Sequence, residues 1–211
     1  MNQQMLALIA AGIVSSLAFN ILPAEARGFR AAGARGAAGG FQRSGQYGSA
    51  AGIGGVAYGR GAAGLRGARW AGPNGGTYQG GGGGIVGRHA GILGGRFNAA
   101  GPNGGTANGG GLAAWKQGVG GYEQSHLNLK GPGGSTYNGS TQGKYNAQTG
   151  QGTYDASRQA YDAKNGQNYG YTDQTSYTKG QGGVSQIDTD HHGDYTVDWQ
   201  KGAKPVVTQD N

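Results

Sequence analysis

A short run of carboxylate and imidazole side chains near the carboxyl end has the residue types that bind metal ions. The run consists of Asp188, Asp190, His191, His192 and Asp194. Oxygen ligands at the first, third and seventh places, with glycine at the sixth, are typical of a calcium loop. Trp199 occupies the twelfth place, where an EF-hand has a bidentate glutamate, which excludes that motif. Two alternatives remain: a loose Ca²⁺, Zn²⁺ or Ni²⁺ contact, or a solvated polar turn between two strands.

Arginines interleaved with glycine and aromatic residues form a second set of candidate binding residues. They are Arg27, Arg30, Arg35, Arg43, Arg60, Arg66 and Arg69. Residues 27–130 carry a formal charge of +10, whereas residues 131–211 carry −2. Arg/Gly segments bind nucleic acid by neutralising phosphates and stacking on bases. In an exported protein the polyanion would be surface polysaccharide, anionic lipid or extracellular DNA; alternatively, the arginines only keep a glycine-rich linker soluble.

Catalytic motifs are missing from the sequence. The chain has no cysteine, no G-x-S-x-G, and four histidines without a recognisable serine partner. Residues 52–57 fit G-x-G-x-x-A, but neither a strand pattern precedes them nor a helical pattern follows, so a nucleotide loop is not indicated. We therefore predict a protein that is not an enzyme and has no cofactor and no small-molecule substrate.

The composition limits the elements that could position any site. Glycine supplies 50 of the 211 residues, and Leu, Ile, Val and Phe together number only 19 between residues 27 and 211. So few apolar side chains cannot offset the conformational entropy of a uniformly packed domain. The chain must be partly disordered, or ordered mainly by backbone hydrogen bonds in hairpins, stacked repeats or assemblies.

The amino terminus has the features of a secretory signal. Residues 5–22 form the only long apolar run, and small residues at positions 24 and 26 fit a signal peptidase site, which predicts a leader over 1–26. The leader has no Lys or Arg before its apolar run, so an uncleaved anchor is the alternative. We expect a secreted or envelope-associated protein, with no stable transmembrane segment after cleavage.

Two repeat systems divide the mature chain. We predict a flexible, basic Gly/Arg/Ala-rich region over 27–71, where glycine interrupts every periodic pattern. GPNGGT occurs at 72–77 and 101–106 and recurs as GPGGST at 131–136, which defines a repeat region over 72–134 built on turn residues. The pentaglycine run at 80–84 reads as a linker or loop.

Tyrosine-containing segments recur at a fixed spacing in the rest of the chain. They begin at Tyr145, Tyr161 and Tyr177, and the first two place a glycine where a hairpin loop needs a left-handed residue. Tyr and Thr favour strands in the intervening stretches. The predicted fold class is a largely disordered glycine-rich N-terminal half followed, over 135–211, by an all-β region of short antiparallel hairpins in a meander.

These repeats resemble those of secreted bacterial Gly/Asn/Gln/Tyr-rich repeat proteins, including envelope proteins with GPNGGT-type repeats, over residues 72–183. The resemblance extends more distantly to curli-type functional amyloid subunits, although the regularly spaced Ser, Gln and Asn ladder of that family is absent from the sequence. It implies an extracytoplasmic, non-catalytic structural or adhesive role.

The sequence therefore predicts a secreted structural or surface-associated protein that contacts polyanionic surface components and associates with itself. A polyanion-binding module using the basic half is one alternative. A cationic glycine-rich antimicrobial polypeptide is another, which the missing basic amphipathic helix disfavours.

Overall fold

The computed structural model describes residues 26–33, 36–45, 48–58 and 61–210. Residues 1–25 of the leader predicted over 1–26 lie outside these residues, as do Arg35 and Arg60. The signal peptide and the polyanion contacts of all the candidate arginines stay predictions.

The described part of the chain contains fourteen strands and no helix. The strands are β1 (Ala26–Gly33), β2 (Gly36–Gly45), β3 (Gly48–Tyr58), β4 (Gly61–Ala71), β5 (Thr77–Gly87), β6 (Ala90–Ala100), β7 (Thr106–Lys116), β8 (Gly120–Lys130), β9 (Thr136–Asn146), β10 (Gln151–Asp162), β11 (Gln167–Thr178), β12 (Gly182–Thr189), β13 (Asp194–Gln200) and β14 (Val206–Asp210). They form one open sheet whose strand order is the sequence order.

All neighbouring strands are antiparallel, so the chain is a continuous meander from β1 to β14. The prediction of an antiparallel all-β hairpin meander is confirmed. The sheet extends well before residue 135, where we placed the start of the β region.

Both sequence periods correspond to units of this sheet. A GPNGGT-type turn lies between β4 and β5, between β6 and β7, and between β8 and β9. One GPNGGT period is therefore one pair of strands with its two turns, and all three GPNGGT-type turns lie at the same end of the sheet. The tyrosine period is instead one strand plus one turn, as in β10 with the turn at 163–166.

The turns adopt the backbone conformations that their residues favour. In the first GPNGGT turn the N–H of Gly72 donates to the carbonyl of Gly76 at 2.7 Å, and the N–H of Gly75 donates to the carbonyl of Gly72 at 3.2 Å. The predicted hairpin glycines Gly150 and Gly166 both have a φ of 71°, in the left-handed region that glycine adopts without strain. The proposed turn chemistry is confirmed at these positions.

The predictions for 27–71 and for the pentaglycine run differ from the structure. The described residues between 26 and 71 form β1 to β4 instead of flexible chain, and residues 80–84 lie inside β5 instead of a loop. Sheet hydrogen bonds use backbone groups alone, so glycine can take part in them. Large side chains of neighbouring strands also cover many of the glycines. The composition of a single strand does not reveal this cover.

The sheet is a single layer, so the described residues have almost no interior. Ala156, at 7% exposure, is the only hydrophobic residue counted as buried in the described part. The accessible surface of the chain is 15147 Å², whereas a globular chain of 21.2 kDa exposes about 9,000 Å². No second sheet or helix from the described residues covers either face.

Candidate functional site: the two faces and two edges of the sheet

The strand register separates aromatic and amide side chains onto opposite faces. Side chains that pair directly across strands share a face, as do alternate residues along a strand. By this rule, thirteen of the fifteen aromatic residues whose side chains the structure describes lie on one face. Tyr122 and Tyr161 are the two on the other. We name these surfaces the aromatic face and the amide face.

One row of the aromatic face alternates glycine with an aromatic residue across eight strands. From β6 to β13 it consists of Gly91, Trp115, Gly121, Tyr145, Gly152, Tyr177, Gly183 and Trp199, each directly paired with the next. We call it the aromatic row. Because every second strand supplies a glycine, each ring has space above a neighbouring strand.

Three of the four rings in the aromatic row lie against the backbone of a glycine in the same row. A Cβ added to Gly152 would lie 2.6 Å from Cε1 of Tyr177, and one added to Gly183 would lie 2.6 Å from Cζ2 of Trp199. The rings of Tyr145 and Tyr177 lie on either side of Gly152, with centroids 6.4 Å apart and planes 7° apart. Cross-strand aromatic cover of this kind stabilises glycine positions that would otherwise weaken a sheet.

The same complementarity continues into the glycine-rich strands. An added Cβ at Gly52 would lie 2.6 Å from Cε1 of Phe41, and one at Gly109 would lie 2.9 Å from Cε1 of Phe97. The ring of Phe97 also stacks on Tyr78 with a centroid distance of 6.4 Å. Glycine in β3 and β7 therefore makes room for specific rings.

An amide ladder crosses the amide face. It consists of Gln79, Asn98, Asn108, Asn128, Asn138 and Gln159, which are directly paired from β5 to β10. The Nδ2 of Asn128 donates to the Oδ1 of Asn108 at 2.9 Å, and this bond is partly buried. Stacked Asn and Gln side chains of this type stabilise extended sheets.

The amide ladder is not the regularly spaced ladder of the curli family, which is absent from the sequence. The sequence distance between consecutive members alternates between a long and a short interval, because in a meander it depends on which turn joins the two strands. A search for one constant spacing misses this pattern. Combining the GPNGGT period with antiparallel pairing would have found it.

The structure does not gather the candidate polyanion-binding arginines onto one surface. Arg43 and Arg66 lie on the aromatic face, and Arg69 lies on the amide face, where it is exposed. Arg27 and Arg30 belong to the edge strand β1. What the seven arginines share is their place in the sequence. All of them fall within residues 26–71, a stretch that contains no acidic residue.

The candidate metal-binding residues lie in and beside the polar turn between β12 and β13. The hydroxyl of Thr172 donates to Asp188 at 3.2 Å, and the N–H of Thr189 donates to Asp194 at 3.2 Å. The ring of His191 meets the ring of Tyr169 edge-on, with centroids 5.5 Å apart. The Nε2 of His191 lies 2.5 Å from the main-chain carbonyl oxygen of Asn168.

The described residues contain no group of three or more His, Cys, Asp or Glu side chains arranged to hold a metal ion. Asp190, His191 and His192 lie in the turn, between Asp188 in β12 and Asp194 in β13. Metal binding by these residues stays a prediction.

The two ends of the strand order are open edges with opposite charge. In the described part β1 pairs only with β2, and β14 pairs only with β13. Residues 182–210, which include β12 to β14, contain five Asp and two Lys, in contrast to the purely basic 26–71. The sheet therefore has a basic edge and an acidic edge.

No protein-family model, no curated protein and no solved structure matches this chain. Within the described residues, no helix has the length and apolar character needed to cross a membrane.

Proposed function

We propose that this protein is a secreted, non-enzymatic structural component of a cell envelope or extracellular matrix, and that it works by self-association. The observation that carries the proposal is the fourteen-stranded sheet, whose two faces and two edges are left uncovered by the described residues. The predicted leader at 1–26 supports export, and the repeat resemblance supports a structural role.

Both faces offer surface that could be buried between copies. Exposed apolar side chains include Phe41, Trp70 and Tyr78 on the aromatic face, which are 53%, 42% and 40% exposed. Ile53 and Ile85 on the amide face are 57% and 60% exposed. Exposed apolar side chains of this kind can be buried against a second sheet, and sheets stack face to face about 10 Å apart.

The proposal is tested by incubating the purified protein and following its sedimentation, thioflavin fluorescence and fibre diffraction. We expect large assemblies with one reflection at about 4.7 Å from strand spacing and another at about 10 Å from sheet stacking. A chain that stays monomeric at all concentrations, with a coil-like circular dichroism spectrum, contradicts the proposal. Cell fractionation and sequencing of the mature amino terminus test export separately.

A second candidate function is polyanion binding by β1 to β4. The charge of residues 26–71 favours it, together with the exposed rings of Phe41 and Trp70 on the same strands. Phosphate or sulfate groups would contact arginine, and planar groups such as bases would stack on the aromatic rings.

We expect affinity for DNA or an acidic polysaccharide to fall steeply between 50 and about 200 mM salt. Replacing Arg43, Arg66 and Arg69 by Ala should reduce the slope of log K against log salt by roughly 0.9 per lost phosphate contact. Replacing Lys144, Lys164 and Lys179, which lie outside the basic strands, is the matched control. Equal effects of the two triple variants would contradict a site on β1 to β4.

A further inference from the structure

The strand count and the edge charges together indicate how neighbouring copies meet. We propose that copies of this chain associate head to tail, with β14 of one copy pairing antiparallel to β1 of the next. The inference rests on the proposed self-association and names the surfaces that carry it.

β14 has the properties of an edge strand that can accept another strand. Val206 and Val207 are 62% and 63% exposed, and the strand pairs with β13 in an unbroken register from Val206 to Asp210. Edge strands that avoid pairing usually carry a bulge, a lysine or a proline within the strand. β14, with the sequence VVTQD, has none of these; Pro205 lies just before it.

The even number of strands in the described part of the chain decides the direction of the pairing. Strands in a meander alternate in direction, so β1 and β14 run opposite ways. A second copy placed beside the first in the same orientation therefore brings its β1 antiparallel to β14, which continues the existing pattern. Contacts between two different edges are heterologous, so repeating them generates an open filament unless the rotation between copies closes a ring.

Charge favours this arrangement over a two-fold dimer. Joining β14 to β14 would bring two acidic edges together, and joining β1 to β1 would bring two basic edges together. Neighbouring strands lie about 4.8 Å apart, and charges interact over a Debye length of about 8 Å at physiological salt. Charges on the outermost strands of one copy therefore interact with charges on the outermost strands of the next copy.

A pair of carboxylates at the acidic edge favours the approach of a basic strand. Asp194 and Asp210 are directly opposite each other on β13 and β14. Asp210 accepts a hydrogen bond from the Thr196 hydroxyl at 2.8 Å, and Asp194 accepts one from the Thr189 N–H. Like charges directly opposite destabilise a sheet, and the arginines of an incoming β1 would neutralise them.

A charge-exchange experiment tests the proposal. One variant carries Asp194→Lys and Asp210→Lys, which replaces the acidic charges of the β14 edge by basic ones and leaves the β1 edge basic. The other variant carries Arg27→Glu and Arg30→Glu, which replaces the basic charges of β1 by acidic ones and leaves the β14 edge acidic. We expect each variant alone to elongate at least tenfold more slowly than the wild type in seeded sedimentation and light-scattering assays. An equal mixture should recover elongation, because each β14 then meets a β1 of opposite charge.

Recovery in the mixture cannot come from misfolded chains, so it separates an edge contact from a folding defect. Asp155→Lys with Asp173→Lys makes the same charge change on the central strands β10 and β11 and should assemble like the wild type. Wild-type rates for the edge variants alone, or no recovery on mixing, overturn head-to-tail pairing while self-assembly itself still stands. A wild-type chain that never assembles overturns the proposed function as well.

Discussion

Replacing Gly152 by Ala tests whether the aromatic row depends on its glycines. The added Cβ would lie 2.6 Å from Cε1 of Tyr177, well inside van der Waals contact, so the ring has to move. Overpacking of this kind costs about 1–3 kcal/mol. Displacing the ring also weakens its stacking on Tyr145, worth about 0.5–1.5 kcal/mol.

Alanine also brings a benefit that must be subtracted. Glycine inside a strand is less favourable than alanine by about 0.5–1 kcal/mol. At their mid-range values these contributions lower the free energy of unfolding of Gly152→Ala by about 2 kcal/mol. With a urea m-value of about 2 kcal/mol/M, the denaturation midpoint followed by circular dichroism should fall by roughly 1 M.

Gly121→Ala is the matched control, because Gly121 belongs to the same row. Its added Cβ would meet only ordinary contacts, at 3.4 Å from the Ala114 carbonyl and 3.7 Å from Trp115 Cβ. This variant should be more stable than the wild type by a few tenths of a kcal/mol to about 1 kcal/mol. If both variants shift the midpoint in the same direction and by the same amount, the reasoning about ring cover is refuted.

A double-mutant cycle separates the ring from the backbone. In a Tyr177→Leu background, Gly152→Ala should lose much of its cost, giving a coupling energy of at least about 0.5 kcal/mol between the two positions. Additive effects would mean that the glycine serves the backbone and not the ring.

Two further predictions concern the turns and the amide ladder. Gly166→Ala should destabilise the protein by about 1 kcal/mol in urea titrations, because a φ of 71° strains an alanine, although nothing lies within 4 Å of the added Cβ. Gly166→Asn should cost less, because asparagine tolerates the left-handed region better. Equal costs of the two variants would contradict a purely conformational origin. Asn128→Ala should cost about 1 kcal/mol through loss of its bond to Asn108, and the effect should largely vanish in an Asn108→Ala background, whereas an unchanged cost would argue against the ladder.

The sequence predicted the turns better than it predicted the extent of the sheet. GPNGGT at 72–77 and the glycines at 150 and 166 identified turns because proline and left-handed glycine act locally. The extent of the sheet depends on contacts between strands: Phe41 covers Gly52 from another strand, and the pentaglycine run pairs with residues 64–68 and 93–97 of its neighbours. Local periodicity contains no information about that cover.

The candidate sites show the same division between local and non-local information. The polar turn at 190–193 could be foreseen, since its residues favour turns wherever they occur. The amide ladder and the aromatic row could not, because each member comes from a different strand and the register sets which residues meet. Once the hairpin period is known, both follow from counting outward from each turn.

Each strand contacts only its neighbours in sequence, and this makes the protein quasi-one-dimensional. Its stability should then be close to a sum of strand terms and nearest-neighbour interface terms, as in repeat proteins. Duplicating one GPNGGT unit would add two strands, leave every other interface unchanged and preserve the antiparallel relation of the outer strands. A gene of this kind can lengthen its product by simple duplication, since the described part of the chain has no enclosed core that would have to be repacked.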